Sequence, residues 1–236
     1  MQNKRRYGQF CGVAFALDVV GERWTLLIVR DLAMGPKRFT DLLEGLPGIA
    51  TNLLAQRLKE LEESGLVEKA ALPPPAASTV YRLTPKGESL EPAIIALGRW
   101  GAAVGGARPG DYYGPSSFFI SCRASFNPER AQDMDLEFHV DGRTYEVLVD
   151  GARCVTRDGA PRDPEAVIES DVHTLVALRR GQLTADEALR SGKAKILAGD
   201  KRALHRFLDV FAWRNLPNVA PPMKTARRPG ARSATR

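Results

Sequence analysis

Apolar positions at helical spacing mark the most legible stretch of the chain. Phe39, Leu42 and Leu43 fall at i, i+3 and i+4, one face of a short helix beginning near Arg38 or Phe39. Pro47 and Gly48 break that pattern. A second helix follows from Ala50 or Thr51, with Leu54, Leu58 and Leu61 on one face and Leu53 beside them. Thr51, Asn52, Gln56, Arg57, Lys59 and Glu60 take its other positions. Gly65 stands where a helix C-terminus needs a left-handed residue. Leu66-Val67-Glu68-Lys69 and Val80-Tyr81-Arg82-Leu83 then read as two short paired strands. Pro73, Pro74 and Pro75 lack ladder N–H groups and belong at the tip between them.

Helix, turn, helix and a two-stranded wing, in that order, make a winged helix-turn-helix. The second helix of such a unit lies in the DNA major groove and approaches base edges with its N-terminal residues. The side chains here have suitable chemistry: Asn and Gln pair two-point with adenine, and Arg with guanine. The candidate DNA-binding residues are therefore Arg38, Thr51, Asn52, Gln56, Arg57 and Lys59, with Lys69 and Arg82 reaching phosphates from the strands. The wing tip carries no basic residue of its own. Taken alone, the same pattern also describes an ordinary amphipathic helix with a solvated face.

The second half alternates instead. Residues 117–126 have strand character, with Phe118, Ile120, Cys122, Ala124 and Phe126 at every second position. Leu136 to Val140 alternates too, Asp141-Gly142 is a two-residue hairpin signal, and 144–149 returns as the partner strand. Residues 154–157 and Ala166-Val167-Ile168-Glu169 continue the sheet. Asp171 caps a helix over 173–180, and Thr184 or Ala185 opens another with Ala188 and Leu189 inward. A last strand and turn at 194–200 precede an amphipathic helix over 201–211 through Leu204, Phe207, Leu208 and Phe211. The expected fold class is α+β, with a mostly antiparallel sheet in the second domain. Gly and Pro near 105–110 divide the chain into domains at 1–106 and 115–216, with a linker at 107–114 and a tail at 217–236.

Composition narrows the class. The 236 residues suffice for two modest domains, and no apolar run is long enough for a membrane span. The opening residues lack the apolar core of a signal peptide, and three cysteines make no disulfide framework, so a cytoplasmic protein is expected. The net charge of +6 divides as +2 over 1–106, −1 over 107–216 and +5 over 217–236. The winged domain is thus only mildly basic, and any DNA affinity must come from local placement of charge. The tail, with Pro221, Pro222, Lys224, Arg227, Arg228, Arg232 and Arg236, reads as disordered. It serves either non-specific phosphate contact or solubility.

Residues 8–101 resemble the HxlR-type winged helix-turn-helix regulators of bacteria. The pieces that carry the resemblance run in order: Cys11 with Ala16-Leu17-Asp18, Gly21-Glu22-Arg23-Trp24-Thr25-Leu26-Leu27-Ile28, Gly35-Pro36-Lys37-Arg38-Phe39, and Leu46-Pro47-Gly48-Ile49. Thr51-Asn52-Leu53-Leu54, Arg57-Leu58-Lys59-Glu60-Leu61-Glu62, Gly65-Leu66-Val67, Tyr81-Arg82-Leu83-Thr84, Gly87 and Leu97-Gly98-Arg99-Trp100 complete it. Ala50 departs from the pattern, since family members often carry Ser there. The resemblance implies a homodimer on a two-fold operator, joined through the helix after Cys11 and the helix ending at Trp100. Leu90, Ile94, Leu97 and Trp100 form an apolar stripe that suits such a contact. In some members a cysteine at the place of Cys11 senses oxidants or electrophiles. Lys4, Arg5 and Arg6 lie nearby and favour a thiolate, while a small buried hydrophobe is the other reading.

Residues 115–213 resemble the sterol-carrier-protein-like lipid-binding fold, through Ala166-Val167-Ile168-Glu169, the Leu175–Gly181 helix, Leu183-Thr184-Ala185-Asp186-Glu187-Ala188, Ser191-Gly192-Lys193-Ala194-Lys195-Ile196 and Gly199-Asp200 before the last helix. That resemblance implies a five-stranded sheet packed by helices around an apolar cavity. Phe118, Ile120, Phe138, Leu175, Leu178, Leu204, Phe207, Leu208 and Phe211 are its expected lining, and packed core is the other reading of the same residues. The expected partners are double-stranded DNA, a second copy of the chain and a lipid or other apolar small molecule, with no cofactor and no metal. An acyl-chain module using the winged half as a dimer scaffold is the alternative. Catalysis is not expected. Asp18 with Glu22 and His139 with Asp141 read as surface groups, and no nucleophile set, metal cluster or phosphate loop accompanies them.

Overall fold

The computed structural model describes residues 6–71, 78–105 and 111–213. Lys4 and Arg5, the Pro73–Pro75 tip, residues 106–110 around the start of the linker and the basic tail lie outside the described residues. The first domain contains α1 (Gly12–Val20), α2 (Thr25–Leu32), α3 (Phe39–Gly45), α4 (Thr51–Glu63), β1 (Val67–Ala71), β2 (Thr79–Leu83), α5 (Pro85–Glu88) and α6 (Glu91–Val104). Ile28, Val29, Leu42, Leu54, Leu58, Leu61 and Val67 make its core, so the apolar stripes read from the sequence face inward as expected. Gly65 has φ +70, the left-handed conformation that ends α4. Strands β1 and β2 pair antiparallel, and Lys37 adds a bridge to Tyr81 through reciprocal backbone bonds of 2.9 and 2.8 Å.

The second domain contains α7 (Pro115–Ser125), β3 (Met134–Val140), β4 (Arg143–Asp150), β5 (Arg153–Asp158), β6 (Ala166–Ser170), α8 (Val172–Arg179), α9 (Ala185–Arg190), β7 (Ala194–Gly199) and α10 (Ala203–Phe211). The sheet order is β5-β4-β3-β6-β7, with β3 and β6 parallel and the other pairs antiparallel. Asp141 and Gly142 both have positive φ, 51° and 76°, as a tight hairpin turn of this hand requires. Asp171 caps α8 by accepting the Thr174 N–H at 2.8 Å.

Two expectations for this domain are corrected. Residues 117–126 are not a strand; 115–125 form α7, with Pro115 in its first turn. The misreading has a physical cause. Helix α7 lies between the sheet and the first domain, so Phe118, Phe119, Ile120, Cys122 and Ala124 are all buried. A helix buried all round shows no 3.6-residue stripe, and its apolar residues alternate by coincidence. The expected apolar cavity is also filled. Phe207 lies 5.0 Å from Phe138, 5.0 Å from Phe211 and 6.3 Å from Phe118, centroid to centroid. Ile120, Leu175, Leu178 and Leu204 are buried in the same cluster, with Leu208 half-buried against it. These side chains pack against one another as core, which is the other reading of the same residues.

The two domains share one junction. Met34 leaves α2 and is buried in the core of the second domain, where its carbonyl accepts the Asp158 N–H at 2.7 Å. Lys37 is only 3 % exposed, and its ammonium pairs with the Asp158 carboxylate at 2.5 Å. Arg123 of α7 donates to the Ala33 carbonyl at 3.2 Å, to the Thr156 hydroxyl at 3.0 Å and to the Thr156 carbonyl, and pairs with Glu91 of α6 at 2.8 Å. Arg99 of α6 donates to the Ala124 carbonyl at 2.6 Å, where a cation also complements the α7 C-terminus. Arg143 reaches Asp41 at 3.3 Å and Glu44 at 2.9 Å, both on α3.

Inside the second domain Arg179 does comparable work. It is 1 % exposed and joins α7, α8 and α10 through neutral acceptors: the Phe211 carbonyl at 2.8 Å and the Ser121 and Ser125 hydroxyls at 2.6 Å each. Truncating it strands these buried groups. Arg179→Met is expected to lower unfolding free energy by about 3 kcal/mol in urea titration, with the denaturant slope unchanged. A loss below about 1 kcal/mol contradicts this role.

Candidate nucleic-acid interface

Helix α4 divides cleanly into a buried face and an exposed one. Leu54, Leu58 and Leu61 fix the first against the core; Thr51, Asn52, Gln56 and Lys59 stand on the second. Asn52 accepts the Leu53 N–H at 2.9 Å, and Gln56 donates to Glu60 at 2.9 Å, four residues on. Lys59 lies 4.0 Å from Glu63, an exposed pair of little energetic weight that leaves the ammonium available. Helix α3 starts with the Arg38 N–H donating to Asp41 at 3.0 Å, and the Arg38 guanidinium reaches the Ser78 hydroxyl at 3.0 Å. Arg38 thus sits beside the wing rather than on α4.

Arg57 does not stand with the outward set, and its expected base-reading role is corrected. It is 8 % exposed and pairs with Glu60 at 2.6 Å and with Glu22 at 2.9 Å. It also donates to the Arg23 carbonyl at 3.3 Å. Its helical position one turn before Leu61 places it on the core side, so it holds the segment before α2 against α4. Lys69 pairs with Glu62 at 3.2 Å, which raises its pKa, and lies over the Tyr81 ring at 5.5 Å. Arg82 pairs across the wing with Glu68 at 2.7 Å. Both cations are exposed, and both must exchange a carboxylate for a phosphate to touch DNA. Arg23 was missed: it is exposed and adjoins α4 through its own carbonyl. Only the Glu22–Arg57 pairing reveals it, and spacing carries no trace of that contact.

The flanking helices carry apolar surface outward. Phe10, Val13, Phe15, Leu17 and Val19 around α1, and Leu97, Trp100 and Val104 on α6, are exposed. The α6 stripe expected to end at Trp100 continues to Val104. Cys11 is exposed at the start of α1, and the Ala14 and Val13 N–H groups lower its pKa. In the single chain this thiol is not packed into the core. Among the described residues no group of three or more His, Cys, Asp and Glu side chains is placed to hold a metal, and no helix is long and apolar enough to cross a membrane.

This arrangement is that of a winged helix-turn-helix protein. The model of the HxlR-like helix-turn-helix family matches residues 19–108. The HTH-type transcriptional regulator YodB of Bacillus subtilis is 38% identical over 96 residues, which cover 41% of this chain and 84% of that protein. The uncharacterized HTH-type transcriptional regulator YvaP of the same organism is 36% identical over 85 residues, covering 36% of this chain and 79% of that protein. The solved reduced form of YodB matches at 36% identity with a TM-score of 0.36, covering 44% of this chain and all of that one. The chain belongs to the HxlR-like helix-turn-helix family. Each of these matches spans less than half of it.

The three thiols differ enough to test. Burial raises the pKa of Cys122, and raises that of Cys154 to about 12. The thiolate is the nucleophile, so iodoacetamide at neutral pH is expected to alkylate Cys11 first. Intact and peptide mass spectrometry reads the order. Equal or earlier labelling of Cys154 contradicts the assignment.

Proposed function

We propose that the chain is a homodimeric, sequence-specific DNA-binding transcriptional regulator that inserts α4 into the major groove. The carrying observation is the exposed face of α4, with Thr51 and Asn52 at its N-terminal end and Gln56 and Lys59 on the following turns. Asn52 and Gln56 have the donor–acceptor pairs that recognise adenine, and Lys59 suits guanine or phosphate. Arg38, Lys69 and Arg82 supply phosphate contacts that fix the position of α4 without reading sequence. The apolar surface of α1 and α6 supports a second copy as partner, since contiguous apolar area on a monomer marks an interaction site.

Cys11 carries a second element of this reading. Exposure and a lowered pKa make it the thiol that oxidants or electrophiles reach first, and its place on α1 puts that chemistry beside the proposed dimer surface. The acyl-chain carrier alternative draws no support from the second domain, whose expected lining residues pack against one another.

Titration of the purified chain against its own promoter-region DNA, with random competitor, tests the proposal. Specific binding is expected to resist competitor and to weaken at least about tenfold in Asn52→Ala, with melting temperature unchanged. Arg57→Ala is expected to lower the melting temperature by removing the buried guanidinium that holds Glu22, Glu60 and the Arg23 carbonyl. Binding that competitor abolishes, or that Asn52→Ala leaves intact, contradicts the proposal and favours the carrier alternative.

A further inference from the structure

A groove of about 830 Å³ runs between the wing side of the first domain and β5 of the second. That volume falls within the roughly 300–1,000 Å³ of small-molecule sites. Ala33, Pro36, Leu83, Pro85 and Val155 give it an apolar lining. Charged side chains stand around that lining, and most of them are paired. Arg82 meets Glu68 at 2.7 Å, Arg123 meets Glu91 at 2.8 Å, and Arg157 meets Glu146 at 2.5 Å.

Two opposite charges are left over. Among the described residues, Arg153 on β5 and Glu88 on α5 line the groove from different domains with no ion pair and no side-chain hydrogen bond. Where the two walls come close enough, as at Arg123 and Glu91, cation and carboxylate join directly. Arg153 and Glu88 do not, and an occupant carrying one charge of each sign satisfies both. Strand β5 supplies an independent sign. It is an edge strand, and its alternate residues turn their main-chain groups away from β4. The Asp158 N–H is donated to the Met34 carbonyl, and the Thr156 carbonyl accepts from Arg123. The same alternation turns the Cys154 N–H and carbonyl to that edge, beside the groove. Main-chain groups at a sheet edge are what an extended peptide pairs with.

We propose that this groove binds a short apolar peptide with free ends, its carboxylate on Arg153, its ammonium on Glu88 and its side chains against the apolar lining. The charges select a zwitterion, and the volume and the β5 edge favour a peptide over a single amino acid. An occupant touching both walls stabilises the docked arrangement of the domains relative to any separated one. Any effect on DNA rests on the function proposed above; binding of the peptide does not.

Calorimetric titration of the full chain with the dipeptide leucyl-leucine tests the site, with free leucine, the N-acetylated dipeptide and the dipeptide amide as comparison ligands. The salt concentration is held near 0.15 M so that distant charges are screened. Saturable 1:1 binding of the dipeptide is expected, tighter than that of leucine. Capping either end is expected to weaken it at least about threefold. Glu88→Gln is expected to weaken the dipeptide by a similar factor and to leave the acetylated form, which has no ammonium, unchanged. Arg153→Gln is expected to weaken the dipeptide and to leave the amide, which has no carboxylate, unchanged. Each unaffected ligand also serves as a control for folding. Failure of the dipeptide to saturate, leucine binding as tightly, or end-capping effects that persist in both variants overturns the proposal. Operator binding measured in parallel keeps the two readings separate, because loss of DNA binding with peptide binding intact contradicts only the regulator.

Discussion

The segment from Ala33 to Lys37 is the constraint on which the rest of the architecture depends. Five residues leave α2, give up Met34 to the core of the other domain, and return to bridge Tyr81 in the wing. Burying a Met side chain contributes about 1.5–3 kcal/mol. The Asp158 N–H to Met34 carbonyl bond and the Lys37–Asp158 pair then fix direction and register. A buried ion pair adds little net stability, yet removing either partner leaves the other uncompensated. The junction is therefore specific in the sense that it tolerates few other arrangements. Lys37 is bonded to β2 on one side and to β5 on the other, so one residue ties the wing to the second domain's sheet.

The same logic governs α4. Helix α4 is held on one side by leucines and at its flank by Arg57, which draws Glu22 and the Arg23 carbonyl against it. Its outer face is left with short or neutral polar side chains and one weakly paired lysine. Cations nearer the wing are engaged with carboxylates in the free protein. Such pairs exchange readily at a solvated surface, so they lower non-specific attraction to phosphate without blocking contact. With the described domains near neutrality, discrimination rests on local geometry rather than bulk charge.

Much of the first domain was legible because its elements are half-buried. The stripes of Leu42, Leu54, Leu58 and Leu61, the Gly65 stop and the paired wing strands all appear as predicted. The hairpin at Asp141-Gly142 and the cap at Asp171 were equally local and equally readable. Failures came where burial was complete or contacts were distant. Helix α7 touches core on all sides, which erases its period. Arg57 has a side chain suited to guanine but a position that faces the core. The aromatic cluster around Phe207 looks the same in sequence whether it lines a cavity or fills one. Lys37 and Asp158 are 121 residues apart in sequence, and no periodicity links them.

The central claim is that the two domains form one unit, joined through the segment after α2. Amide hydrogen exchange at Asp158 tests it most directly, because that N–H is donated across the junction to Met34. The account predicts protection comparable to the central strands β3 and β4, with opening limited by unfolding of the second domain. Exchange of the Asp158 amide at the rate of an exposed loop, while β3 and β4 remain protected, would contradict it and make the domains independent.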